Sequence, residues 1–338
     1  MFPKFLYPGK SQYEPNPEAK KFSFKTKFMI DTLNPLNWIK VSDYIKKEKP
    51  DRIIFQWWHP FFVPCYATIA FLSKKSAKNS LKIGFIGQVI ALHESGLMNQ
   101  INAIMSNFFF KTTDYAITLS SGDTKELAKL MPLAKIKQIT EPTYADVFSE
   151  GKITRSKARS ALNLNFDDKI ILFFGFVRPY KGLMHLLNAF PLVLNKISAK
   201  LIIAGEFWGN KKDYLDKIAG NGLQGKVLVV DKYIPNEDVE LYFKAADVIV
   251  LPYTSAAESG IIQTALGFNL PIITTNVGGN SDLVIDGQNG LLVKPEDEKD
   301  LAEKILLFFN KALKQSINVN KKTDWDKDKE AILLGLQA

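Results

Sequence analysis

"FFGFVRPYKGLMHLL", residues 173–187, decides how the chain is read. An apolar run, Ile170 to Phe174, has the pattern of a buried strand and stops at Gly175. Arg178 and Lys181 follow, then Gly182, and the apolar pattern of a helix begins at once. In a parallel α/β sheet, ligands sit outside the carboxyl ends of the strands, and a helix N-terminus there attracts anions. The two cations are therefore either half of an anion site or a solvated loop pair, and the neighbouring loops must decide.

Working outward, "KIILFFG" (169–175), "KLIIAG" (200–205), "KVLVV" (226–230), "DVIVLP" (247–252) and "PIITT" (271–275) are strand candidates separated by helices. Asn236 is placed to cap the helix "EDVELYFKAA", and Asp297 to cap "EKDLAEKILLFF". Upstream, "RIIFQW" (52–57), "LKIGFIG" (81–87) and "DYAITL" (114–119) read as buried strands. Between them, "VPCYATIAFLSK" (63–74) and "LMNQINAIMSNFFF" (97–110) read as helices. Continuous apolar strands alternating with helices predict parallel sheets covered on both faces. "TEPTYADVFSEGK" (140–152) has no periodicity and reads as a linker. The expected division is residues 1–150, 151–315, and a tail at 316–338 returning to the first domain. The fold class is α/β, two doubly wound domains in series.

The length of 338 residues suits two domains, and 46% hydrophobic with 23% charged residues is ordinary for a globular protein. The charge is less ordinary. There are 44 Lys and Arg against 35 Asp and Glu, and the first 150 residues hold 20 of the basic and 13 of the acidic side chains. Such a bias fits a nucleic acid, an anionic lipid surface or a phosphorylated substrate, or it is simply a basic surface. The single cysteine, Cys65, excludes an intrachain disulfide framework or a cysteine zinc cluster and reads as a core residue. No secretory-type leader and no 18-residue uncharged apolar run is found, which leads to the expectation of a cytoplasmic protein with peripheral membrane contact left open.

Several chemistries are set aside. The dinucleotide G-x-G-x-x-G, the Walker loop and the G-x-S-x-G elbow are missing. His59, His93 and His185 are too few for a His-rich metal site, and the D-x-D of Asp326 and Asp328 lies in a charged tail rather than after an apolar strand. What remains is the set of strand-end loops in the second half. Gly205 and Glu206 follow the second strand there, Tyr233 and Ile234 the third, and "YTSAAESGIIQTA" (253–265) the fourth. In the last of these Ser259 and Gly260 open a helix whose free amides, with two cations nearby, would clamp a diphosphate without metal. Glu258 reads either as a ligand contact or as a carboxylate that complements the helix dipole.

"FFGFVRPYKGL", "IAGEFW", "AADVIVLPYTSAAESGIIQTALGFNLPIITTNVGG" and "VIDGQNGLLVKPED", in this order, resemble the carboxyl-terminal half of family 4 glycosyltransferases, the glycosyl transferases group 1. The likeness covers about residues 165–310. A weaker one extends to "DTLNPLNW", "PDRIIFQWWHPFF" and "ALHES" in the first half. The resemblance implies the GT-B architecture, two Rossmann-like domains facing across a cleft. It also implies a UDP-, GDP- or ADP-sugar donor and transfer with retention, with no cofactor and no metal. It assigns Arg178 and Lys181 to the donor diphosphate and the backbone amides of Gly260 and Ile261 to the same phosphates. It places Glu258 at the donor sugar or ribose, Tyr233 and Ile234 at the base, and Gly175, Glu206 and Ser259 in the same donor-binding set. His93 falls near a cleft-lining histidine that touches donor sugar or acceptor, against a purely structural histidine.

Departures accompany the likeness. The family's second glutamate falls at Gln263 or Thr264, and a glutamine there would hydrogen-bond a ribose diol without charge. Gln88 stands where the subgroup often has a histidine. The usual opening strand and glycine-rich loop have no counterpart, so the first domain is expected to be incomplete, with a sheet edge left bare. The implied acceptor is a glycan or lipid-linked glycan of cell-envelope or exopolysaccharide synthesis, at an anionic membrane surface and without nucleic acid. Two alternatives stay open: a non-catalytic homologue that binds sugar nucleotides or glycans, and a GT-B type sugar-nucleotide epimerase.

Overall fold

The structure is a computed structural model and describes residues 27–57, 59–77, 80–87, 97–132, 135–139, 153–255 and 259–310. His93, Gln88, Glu258, the expected linker and the expected tail lie outside the described residues. The chain divides into two compact units, each built on a parallel sheet, so the expected fold class is found.

In the first unit, helix α1 (Pro35–Glu48) starts at Asn34, whose side chain accepts from the amides of Leu36 and Asn37. Strands β1 (Arg52–Trp57), β2 (Lys82–Gly87), β3 (Tyr115–Thr118) and β4 (Ile136–Gln138) pair in that order, all parallel. Helices α2 (Val63–Ser76), α3 (Leu97–Thr112) and α4 (Ser121–Ala128) connect them. Because the order runs one way, right-handed crossovers set all three connecting helices on the same face. There Phe55, Trp57, Phe85, Phe109 and Phe110 form an aromatic core, Trp57 and Phe110 meeting edge-on at 4.8 Å. Cys65 is buried among them, and burial pushes its thiol up to about 11, which suits an inert core residue. On the other face Ile54 is 40% exposed and Gln56 is also exposed. The expectation of a strand buried on both sides at 52–57 is therefore corrected: among the described residues β1 alternates, because only one face of it carries a layer of helices.

The second unit contains α5 (Arg155–Ala161), β5 (Ile170–Phe174), α6 (Leu183–Leu194), β6 (Lys200–Ala204), α7 (Lys211–Gly220) and β7 (Val227–Val230). It continues with α8 (Asn236–Ala245), β8 (Val248–Leu251), α9 (Gly260–Gly267), β9 (Ile272–Thr275), α10 (Asn280–Leu283), β10 (Gly290–Val293) and α11 (Glu298–Phe309). All five residues of β5 are buried, and alternate ones belong to different layers. Ile171 and Phe173 pack with α6 and α11; Ile170, Leu172 and Phe174 pack with α8 and α9. Burial on both faces is why this strand reads as a continuous apolar run.

The strands are ordered β10-β9-β8-β5-β6-β7, so the order reverses between β5 and β8. The opposite, amino-terminal ends of these two strands are tied by charge. Asp247 accepts from the Ile170 amide at 2.8 Å and pairs with Arg159 at 2.9 Å, both side chains being buried. Asp297 caps α11 as expected, its side chain accepting from the Asp300 amide at 2.9 Å. Asn236 does not cap α8: Pro235 holds the cap position in extended backbone, and Asn236 is the first helical residue.

Candidate functional site

A reversal of strand order opens a crevice at the carboxyl ends of the two strands concerned. Here those ends are Gly175, after β5, and Pro252, after β8. The loops around them are fastened to one another through backbone. Beyond β5 and β6 the pairing continues: the Val177 amide donates to Glu206 O at 2.9 Å, and the Trp208 amide to Val177 O at 2.9 Å. The Gly205 amide donates to Val230 O at 3.0 Å, bringing in the end of β7, and the Thr254 amide donates to Tyr180 O at 2.8 Å, joining the β8 loop to the β5 loop. Four strand ends thus form one fastened rim.

Two glycines make the close approach possible. Gly182 lies at φ +69°, and a Cβ on it would stand 1.8 Å from the Pro252 carbonyl oxygen, so only glycine fits between the loops. Gly175 lies at φ +97°, and a Cβ there would stand 3.1 Å from Lys181 Nζ and 3.2 Å from Ile261 Cδ1. The missing side chain of Gly175 therefore leaves room for both the lysine ammonium and Ile261, in the first turn of α9. Helix α9 begins after Ser259, which caps it without a side-chain hydrogen bond; instead its Oγ meets the Tyr253 hydroxyl at 3.3 Å. The amides that open such a helix have no intrahelical acceptor, and they carry the positive end of its dipole.

Lys181 is buried, 9% exposed, in the short turn Pro179–Lys181. Loss of hydration is the main cause that holds its ammonium below the ordinary lysine range, and the nearby Arg178 charge adds to it. It makes no ion pair with a carboxylate among the described residues, and it lies over the Tyr253 ring, 5.5 Å from its centre. Burial pushes the Tyr253 phenol up to about 12, so that ring stays neutral. A dehydrated cation that shares a cavity with Ile261, in the first turn of α9, is an arrangement whose cost an incoming anion removes.

Arg178 is half-buried and held differently: its guanidinium lies 4.0 Å from the centre of the Trp208 ring. Trp208 packs in turn on Phe176 at 4.4 Å, and Phe176 on Tyr233 at 6.2 Å. Three loops thereby contribute one aromatic wall. The sequence reading passed over Trp208 and Phe176, although both stand inside quoted motifs; the only signal was aromatic residues in two loops that sheet register brings together.

A cavity of about 290 Å³ occupies the rim. It gathers Gly175, Lys181, Glu206, Tyr233, Ile234 and Ile261 from the candidate list, with Glu206 itself 6% exposed. Arg178 is not among its lining residues, and neither are Ser259, Gly260 and Gln263. Gln263 is fully buried, and neither polar atom of its amide has a hydrogen-bond partner among the described residues. Of the two positions considered for the family's second glutamate, it is Thr264 that lines the cavity, its hydroxyl donating to Gly260 O at 2.8 Å. Asn236 lines it as well, which its reading as a helix cap did not anticipate.

The fold matches solved structures over most of the chain. A structure of Anabaena Alr3699/HepE in complex with UDP and glucose superposes with a TM-score of 0.72 at 17% identity, covering 92% of this chain and 84% of that one. Sucrose-phosphate synthase from Thermosynechococcus elongatus gives 0.68 at 19% identity, covering 89% and 77%. In sequence, an uncharacterised glycosyltransferase of Methanocaldococcus jannaschii, MJ1178, is 27% identical over 74% of this chain and 67% of its own length. Another from the same organism, MJ1607, is 29% identical over 43% of this chain and 36% of its own. The capsular polysaccharide biosynthesis glycosyltransferase CapM of Staphylococcus aureus is 28% identical over 48% and 42%. In MJ1607 and CapM the match thus spans less than half of the relative. The stretch that forms the second unit carries the decisive match: the family model for glycosyl transferases group 1 fits residues 154–325, half of the chain. On that match, the chain belongs to the glycosyl transferases group 1.

Proposed function

We propose that the protein is a retaining, metal-independent glycosyltransferase that moves a sugar from a nucleotide-diphosphate donor to a glycan or lipid-linked acceptor. The observation that carries this reading is Lys181, a buried cation with no carboxylate partner among the described residues, set against Gly175 and the start of α9 where the strand order reverses. In this reading Lys181 and Arg178 neutralise the charge that develops on the departing diphosphate, as a divalent ion would elsewhere, and the amides of Gly260 and Ile261 share it. Tyr233 and Ile234 line the same cavity and suit the faces of a nucleobase, while Glu206 and Thr264 offer acceptors to hydroxyl groups. The leaving phosphate takes the acceptor's proton on the same face of the sugar. Family membership and the named role of CapM in capsular polysaccharide biosynthesis favour an envelope or exopolysaccharide acceptor. No helix among the described residues is long and apolar enough to cross a membrane. A lipid-linked acceptor would place the protein in the cytoplasm, against the inner face of the cell membrane.

The test is a panel of UDP-, GDP- and ADP-sugars, with and without membrane extract as acceptor, following release of free nucleoside diphosphate. Release that disappears in the Arg178→Ala, Lys181→Ala double variant supports transfer or slow donor hydrolysis. Tight nucleotide binding without turnover under any condition would leave the binding-homologue reading in its place. Interconversion of free sugar nucleotides without acceptor would point to an epimerase.

A further inference from the structure

Away from the donor site, the outer side of α2 and α3 carries a combination that a soluble surface does not need. Phe71 is 66% exposed, Ile104 69% and Phe108 58%. A groove of about 640 Å³ runs between the two helices, with Phe71 and Phe108 in its walls and Lys74 and Lys75 at its rim. Phe71 and Lys75 stand one turn apart on α2, as do Phe108 and Lys111 on α3, so each apolar ring has a lysine beside it on the same helix face. Both helices run back along the sheet, so their last turns and the start of β2, where Lys82 is exposed, come to one end. Neither helix contains an acidic residue, and residues 53–113 hold five lysines against one glutamate, Glu94. Lys74 is paired with Asp114 at 2.9 Å; Lys75, Lys82 and Lys111 have no ion pair among the described residues.

We propose that this α2–α3 face docks the protein on an anionic lipid bilayer, with Phe71, Ile104 and Phe108 entering the headgroup boundary and Lys75, Lys82 and Lys111 meeting lipid phosphates. The occupant follows from the charge. A second copy of the same face would bring lysines against lysines, whereas a negatively charged bilayer satisfies ring and ammonium together. The inference does not rest on sugar transfer, because none of these residues belongs to the donor cavity.

The experiment is co-sedimentation of the full chain with vesicles of phosphatidylcholine alone and of phosphatidylcholine mixed with phosphatidylglycerol. Binding is expected only with phosphatidylglycerol and should weaken with salt. Lys75→Ala and Lys111→Ala should each weaken it about fivefold, and Phe71→Ser with Phe108→Ser by more than about tenfold. All these side chains are exposed, so the variants should keep the wild-type thermal midpoint, and UDP binding measured in parallel should not change. A wild-type chain that ignores anionic vesicles overturns the proposal, as does equal binding by the Phe71→Ser, Phe108→Ser variant. So does concentration-dependent dimerisation that this variant abolishes, which would make the face a contact between copies.

Discussion

Replacing Lys181 with methionine should move binding and stability in opposite directions. The side chain is 9% exposed, and no carboxylate pairs with it among the described residues, so the free protein carries the cost of a dehydrated ammonium. Methionine has a similar length and no charge, and it should stabilise the free protein by about 1–2 kcal/mol, within the range of single changes that relieve a functional strain. For a unit of this size that is a rise in Tm of about 2–4 °C per kcal/mol. Removing the cation should also delete at least one charge-assisted hydrogen bond to a diphosphate, costing about 1.5–3 kcal/mol, or roughly ten- to 150-fold in affinity. Thermal unfolding with and without UDP reads both effects. The free variant should melt higher than wild type, and the shift produced by UDP should shrink. A variant that melts lower while keeping its affinity for UDP would refute the reasoning and make Lys181 a structural lysine.

The same burial sets a pH dependence. An anion favours the charged lysine, so binding takes up protons, and affinity should fall as pH rises through the depressed Lys181 value, below the ordinary 10.5. In Lys181→Arg the fall should be absent over that range, as titration calorimetry at several pH values can establish. Trp208→Ala removes the ring beneath Arg178 and should weaken diphosphate binding by about 0.5–2 kcal/mol, with Trp208→Phe intermediate; equal affinities would separate the ring from the site. Asp247→Ala leaves the buried Arg159 guanidinium without its carboxylate partner at the far end of β5 and β8, and should cost about 3–5 kcal/mol in denaturant unfolding. Gly175→Ala forces a side chain at φ +97° against Lys181 and Ile261, so it should lower UDP affinity as well as stability.

The second unit was legible because β5 is buried on both faces and its loop concentrates glycine and cations in a few residues. Side-chain chemistry that depends on register was not. Trp208 lies thirty residues beyond Arg178, and only the pairing of the β5 and β6 loops through Val177 and Glu206 brings them together. The choice between Gln263 and Thr264 turns on one residue of helix, about 100° of rotation, which spacing alone does not resolve. β4 is only three residues long, too short for a periodic signal, and β1 looked central because its outer polar position, Gln56, sits among large apolar residues. Asn236 looked like a cap by composition, yet Pro235 takes that place because its fixed φ suits the turn into α8.

The proposed function depends on two cations and a helix start recognising a diphosphate without metal. Calorimetric titration of UDP and UMP into the wild type and the Arg178→Ala, Lys181→Ala variant, in the presence of EDTA, tests it most directly. UDP should bind wild type at least about tenfold more tightly than UMP, one charge-assisted contact's worth, and the variant should lose this preference. Equal affinity for the two nucleotides in wild type, or a preference for UDP that survives in the variant, would contradict it.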